Sequence, residues 1–137
     1  LIGLTRGTSR VHIIRAAQES IAYQVNDLLD AMARDTGVPL STLSVDGGAS
    51  RDSFLMQFQA DISGCTIRRP VIRETTALGA CYLAGLATGV WKNREELKQL
   101  WRCDTLYHPA MEEQARRTLL AGWDKAVGRS LGWCKPE

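Results

Sequence analysis

The chain has 137 residues, a length suited to one domain with a single core. Apolar residues make up 45% and charged residues 23%, and 17 Lys and Arg against 15 Asp and Glu leave a formal charge of +2. That balance excludes a dedicated nucleic-acid binder, which carries a concentrated basic face, and no apolar run approaches the roughly 20 residues that cross a bilayer. Residues 1–10 are rich in glycine and hydroxyl side chains and lack the apolar stretch of a secretory signal. With no initiator Met, the stretch reads as the interior of a longer, cytoplasmic polypeptide.

In chain order, the first periodic segment covers residues 12–35. Ile13, Ile14, Ala17, Ile21, Val25, Leu28, Leu29 and Met32 recur at three- and four-residue steps, which predicts one apolar stripe on a long helix. Thr8 or Ser9 caps its start, and Gly37 with Pro39 stops it. Residues 43–45 alternate and predict a short strand, broken sharply by Asp46-Gly47-Gly48-Ala49-Ser50. A second helix is expected from Asp52 to about Ser63, a second strand over residues 65–69, and a third helix from Glu74 or Thr75 to Thr88. The third helix is crowded with Ala and Gly. Each interior Gly costs about 1 kcal/mol against Ala, so Gly79 and Gly85 imply a close approach, with tight packing as the plain explanation. Residues 94–100 predict a short charged helix, residues 106–109 a loop, and residues 111–131 the last helix.

Strand, helix, strand in this order predicts a parallel βαβ pair. Two strands do not make a covered parallel sheet, so the sheet is expected to be incomplete, finished by other polypeptide or by a second copy. The four cysteines, at 65, 81, 103 and 134, form no C-x-x-C, and His12 and His108 lie far from any close pair. Cys65 and Cys81 read as buried thiols in a reducing compartment.

The stretch VDGGAS followed by Arg51-Asp52-Ser53 is the one site-like constellation. A strand ends, two glycines follow and a helix begins, which is where open α/β sheets bind ligands. Bare backbone admits a flat or charged group, and the free N–H groups of a helix start favour negative charge. The pattern is neither GxGxxG nor a phosphate-binding P-loop, so on local pattern alone a tight β–α turn is the stronger reading. Asp46 reads as a turn carboxylate, Ser50 and Asp52 as helix caps, Arg68, Arg69 and Arg73 as a solvated edge, and Trp91, Trp101, Trp123 and Trp133 as packing residues.

Three long pieces, GLTRG with HIIRAAQESIAYQVNDLLDAM, VDGGASRDSFLMQFQADISG and RRPVIRETTALGACYLAGLATGVW, stand in order over residues 3–91. In them the chain resembles the C-terminal part of glycerol kinases, within the FGGY carbohydrate kinase family. The resemblance implies an α/β, helix-rich piece of a ribonuclease-H-like domain of the actin/hexokinase-like ATPase type. Residues 1–137 would be the C-terminal, ATP-side portion of the second kinase domain. It implies transfer of the γ-phosphoryl group of ATP to glycerol, giving glycerol 3-phosphate, with magnesium whose ligands lie outside this chain. It also places the catalytic and glycerol-contacting residues outside, so the piece alone is expected to be inactive.

By the same resemblance, Gly48 contacts ATP with Gly47 and Ala49 beside it, and Asp52 stands where the family carries an adenine-contacting Asn. An ionised Asp only accepts hydrogen bonds, whereas Asn also donates. Gln18 stands where glycerol kinases usually carry an apolar residue. Pro109-Ala110-Met111 replaces the Pro-Gly-Ile loop by which some bacterial members dock a sugar-phosphotransferase regulatory protein, so that partner is not expected. The remaining alternatives are another sugar or polyol kinase of the family, or a non-enzymatic interaction module. Exposed strand edges lead us to expect a homo-oligomer.

Overall fold

The computed structural model describes residues 1–133. Helix α1 (Arg10–Thr36) is followed by strand β1 (Thr42–Ser44), a 3-10 turn (Gly48–Arg51), helix α2 (Ser53–Ser63), strand β2 (Thr66–Pro70), helices α3 (Thr75–Ala87) and α4 (Arg94–Leu100), strand β3 (Cys103–Tyr107) and helix α5 (Glu113–Ser130). The sheet order is β1-β2-β3. β1 pairs parallel with β2, Leu43 opposite Ile67, so β1-α2-β2 is the parallel unit the sequence predicts.

The third strand corrects the reading of residues 106–109 as a loop. β3 runs antiparallel to β2, with Ile67 opposite Tyr107 and Arg69 opposite Thr105, and the register shifts between Arg69 and Pro70. Pro70 lacks the N–H that a ladder needs, which suits it to an irregular position. Only Tyr107 of β3 is buried, so alternation in the sequence was weak. Long-range contacts hold the strand instead. Tyr107 Oη and Ser53 Oγ are 3.1 Å apart, and Arg69 grips Asp104 from β2.

The core lies between α1, α2, the sheet and α5. Ala22, Tyr23, Leu55, Met56, Phe58, Ala60, Ile62, Ile67 and Tyr107 are its buried apolar residues. Ile62 and Ile67 are fully buried, and full burial of such a side chain contributes about 1.5–3 kcal/mol. Tyr23 stacks on Trp123 of α5 at 5.1 Å and meets Phe58 edge-on at 5.5 Å, which joins α1, α2 and α5 at one point.

Helix α1 differs from its predicted stripe. The face packed on the core carries Ala22, Tyr23, Asn26 and Leu29. Ile13, Ile14, Ile21, Leu28 and Met32, five of the predicted stripe residues, are exposed. The helix is apolar on two sides, and most of the stripe of aliphatics lies on the side that no other described residue buries. Ser9 is the N-cap, its backbone N–H donating to His12 Nδ1, and Gly37 closes the helix in the left-handed region.

Cys65 is buried as expected, but Cys81 is exposed, because α3 has little packed against it. Cys134 falls outside the described residues. Gly85 in α3 has the packing its sequence implies. A Cβ there would lie 2.0 Å from the Trp91 ring, so the indole folds back onto the helix. Gly79 faces open space. No described helix is long and apolar enough to cross a membrane.

Candidate functional site

β1 ends at Ser44 and the chain turns at Gly47, whose φ of 74° and ψ of −172° only glycine adopts readily. The turn is tied from three directions. Gly47 N–H donates to Arg73 O at 2.8 Å, Ser50 Oγ donates to Gly47 O at 2.7 Å, and Arg69 Nη1 donates to Ser50 O at 3.3 Å. Gly48 is held in place but left bare. It is exposed, its φ is not positive, and a Cβ built on it meets nothing within 4 Å. Neither the Gly48 nor the Ala49 N–H donates to a main-chain acceptor among the described residues. The fold therefore demands glycine at 47 and makes no such demand at 48.

Asp52 opens α2. Its Oδ1 accepts from Phe54 N at 2.9 Å and Leu55 N at 3.2 Å, so it is the N-cap that the sequence allowed. Its Oδ2 accepts from Gln18 Nε2 of α1. Ser50 is not a cap. It is 1% exposed, and its hydroxyl braces the glycine turn from inside. Asp46 is an exposed turn residue. A hollow of ≈ 230 Å³ opens beside the turn, with Asp46, Ala49 and Ser50 at one end and Ile21, Val25 and Leu43 along its wall. A larger hollow of ≈ 670 Å³ lies between α1 and α5, away from the glycines.

Beneath the turn sits a group that the sequence reading placed on a solvated edge. Arg69 is 9% exposed. Its Nε donates to Asp104 Oδ2 at 3.0 Å, its Nη2 to Thr105 Oγ1 at 2.9 Å, and its guanidinium lies 5.4 Å from the Tyr107 ring centre. Arg73 adds a second contact to Asp104 Oδ2 at 3.4 Å. Burial pushes the Asp104 carboxyl up, but hydrogen bonds from Arg69, Thr105 and Arg73 and the Arg69 charge outweigh it and hold the group below its ordinary value. A signal for Arg69 was present, since β2 buries residues 67 and 69 on one face and period two aligns them. Arg68 does lie toward solvent, covering the Trp101 ring at 4.3 Å. Trp91 and Trp123 pack as expected, whereas Trp133 is exposed.

The sequence pattern of the FGGY family of carbohydrate kinases, C-terminal domain, matches residues 1–88. The chain belongs to the FGGY family of carbohydrate kinases. A glycerol kinase of Caldanaerobacter subterraneus subsp. tengcongensis is 57% identical over 135 residues, which are 98% of this chain and 27% of that protein. Among solved structures, the Plasmodium falciparum glycerol kinase with ADP superposes with a TM-score of 0.83 at 37% identity, covering 96% of this chain and 26% of that one. A ligand-bound xylulose kinase from Lactobacillus acidophilus matches with a TM-score of 0.73 at 25% identity, covering 96% and 27%. This FGGY chain thus spans about a quarter of the length of the relatives it matches. Its fold is the α/β architecture of actin/hexokinase-like ATPases, helix-rich and with a small sheet. Among the described residues, no three His, Cys, Asp or Glu side chains are grouped as a metal site requires.

Proposed function

We propose that this chain is the C-terminal, nucleotide-side portion of a glycerol kinase, which transfers the γ-phosphoryl group of ATP to glycerol. Gly47, Gly48, Ala49 and Asp52 form the wall against which the nucleotide lies. The observation that carries this reading is the bare backbone at Gly48. Neither backbone torsion nor any neighbour among the described residues calls for glycine there, and the residue is exposed on a turn whose Asp46, Ala49 and Ser50 border a hollow that Gly48 itself does not line. A position with no internal reason to lack a side chain is one that an outside group approaches. The identity of 57% to a protein named glycerol kinase supports the substrate.

Phosphoryl transfer rests on positioning and charge neutralisation. In this division of labour the chain contributes positioning. The Arg69 brace fixes the turn, and the open glycine admits a flat ring against main chain. Magnesium travels with the ATP phosphates, and its ligands, the phosphate loops and the glycerol contacts belong to the remainder of the kinase. Closure of the two kinase domains would exclude water from the cleft. The intact enzyme would work in the cytoplasm as a homo-oligomer.

Coupled assay of ADP formation by the full-length enzyme tests the reading against glycerol, xylulose and gluconate. Glycerol is expected to give the highest kcat/KM. A higher value for either sugar substrate would move the assignment to another member of the family. The isolated 137-residue chain is expected to release no ADP above a buffer control when glycerol and ATP are supplied.

A further inference from the structure

Besides Arg69, a second strap holds the glycine turn: residues 71–74, between β2 and α3. Gly47 N–H donates to the Arg73 carbonyl at 2.8 Å, and Val71 N–H donates to the Arg102 carbonyl at 3.0 Å. The strap is thus bonded through main chain to the turn at one end and to the residue before β3 at the other. Side chains repeat the connection. Arg73 Nη2 donates to Asp104 Oδ2 at 3.4 Å, the oxygen that also accepts from Arg69 Nε at 3.0 Å. Arg51 and Glu74 also bridge turn and strap, but at 3.9 Å and with both side chains mostly exposed that pair contributes little. Arg73 Nε is buried and has no partner among the described residues. A buried unpaired donor is a cost, and Asp104, the one side-chain partner of Arg73 among the described residues, is what offsets it.

We propose that Asp104 is a positioning residue for nucleotide binding, acting through Arg69 and Arg73 to set the glycine turn from both sides. Arg69 carries the hold to the Ser50 carbonyl, and Arg73 carries it to the Gly47 N–H. One carboxylate on β3 thereby fixes the main chain before and after Gly48. The strand lies beyond residues 1–88, which the family pattern matches, yet it supplies the anchor. The inference rests on the nucleotide reading of the glycine turn and adds Asp104 and Arg73 to it, as residues that shape the wall without contributing a contact to the ligand.

Steady-state kinetics of the full-length kinase test this, with ATP varied at saturating glycerol and glycerol varied at saturating ATP. Asp104→Asn keeps the side-chain shape and removes the charge. It is expected to raise the KM for ATP on the order of five- to tenfold, with kcat and the KM for glycerol within about twofold. Arg73→Met keeps the carbonyl that meets Gly47 and removes the guanidinium. Its effect is expected to be smaller, because Arg69 still holds Asp104. Arg73→Lys is expected to restore the KM, since one ammonium can serve a single acceptor and lysine has no Nε to leave unpaired. Combining Arg73→Met with Asp104→Asn is expected to be no worse than Asp104→Asn alone. The proposal is overturned by a lowered thermal midpoint with an unchanged KM for ATP, or by equal rises in both KM values. It is also overturned if Arg73→Lys is as impaired as Arg73→Met, or if the penalties of the double variant multiply. Should Asp104→Asn fail to fold, the two Arg73 variants decide alone. Gly48→Val separates the two levels. If it raises the KM for ATP while Asp104→Asn and Arg73→Met do not, the positioning role alone falls. If none of the three raises it, the nucleotide reading falls as well.

Discussion

Arg69 decides whether the glycine turn is rigid. One buried guanidinium reaches the Ser50 carbonyl, the Asp104 carboxylate and the Thr105 hydroxyl, tying the 3-10 turn to β3 across β2. Arg69→Gln is expected to lower the thermal midpoint of the full-length enzyme and raise its KM for ATP with a smaller change in kcat. Arg69→Lys is not expected to rescue it, since a single ammonium cannot serve three separated acceptors in a planar fork. An unchanged KM for ATP in Arg69→Gln would detach the brace from nucleotide binding. The pair also has a pH signature. The folded value of Asp104 is depressed below its ordinary 3.8, so its contribution is present above that value and is lost as pH falls through the folded one. Tyr23 gives the opposite case. Burial, helped by Glu19, pushes its hydroxyl up to about 12. Below pH 10 the phenol is neutral folded or unfolded; between 10 and about 12 only the unfolded chain ionises, so stability falls across that window. Tyrosinate absorbance with chemical denaturation checks this, and stability that stays flat from pH 10 to 12 speaks against a buried Tyr23.

At the scale of elements, the β1-α2-β2 unit was legible because each part carries a local signal. Alternation marks Leu43 and Val45, paired glycines mark the turn, and Asp52 marks the helix start. β3 was not legible, because what holds Asp104 and Tyr107 comes from residues 35 and 54 positions earlier in the chain. The stripe on α1 was legible as apolar, but the side of the helix that the chain buries was not. Periodicity finds apolar sides but cannot say which one the same chain will cover. At the candidate site, Gly47 and Asp52 could be read from local pattern, while the Gln18 partner and the Arg69 brace depended on tertiary contact. Helix α3 makes its own prediction. Trp91 occupies the space that a Cβ on residue 85 would need and meets Tyr82 edge-on at 5.3 Å. Gly85→Ala is therefore expected to expel the indole and cost about 1–3 kcal/mol in overpacking. Gly79→Ala, with open space around it, is expected to be neutral or mildly stabilising in the isolated chain. Denaturant melts of the two variants compare them directly, and equal stabilities would contradict the assigned role of Trp91.

At the scale of the whole molecule, much of the apolar surface has no cover among the described residues. Ile14, Ile21, Leu28 and Met32 on α1 are exposed, and so are Val71, Ile72, Leu83 and Val90 around α3. β1 is also an edge strand of three residues with one side unpaired. Contiguous apolar surface of this kind drives association. The isolated chain is expected to self-associate in light scattering and to bind a hydrophobic dye, whereas a stable, dye-silent monomer would show that these faces need no partner. In the full-length kinase they are expected to pack against the polypeptide that completes the sheet, leaving the glycine turn open to the cleft. The claim on which this picture turns is that ATP comes up against main chain at residue 48. A Cβ there meets nothing within 4 Å and requires no unusual torsion, so Gly48→Val is expected to separate ligand contact from stability. The KM for ATP of the full-length enzyme, measured at saturating glycerol, is expected to rise at least about tenfold with the thermal midpoint unchanged; an unaltered KM would contradict the account.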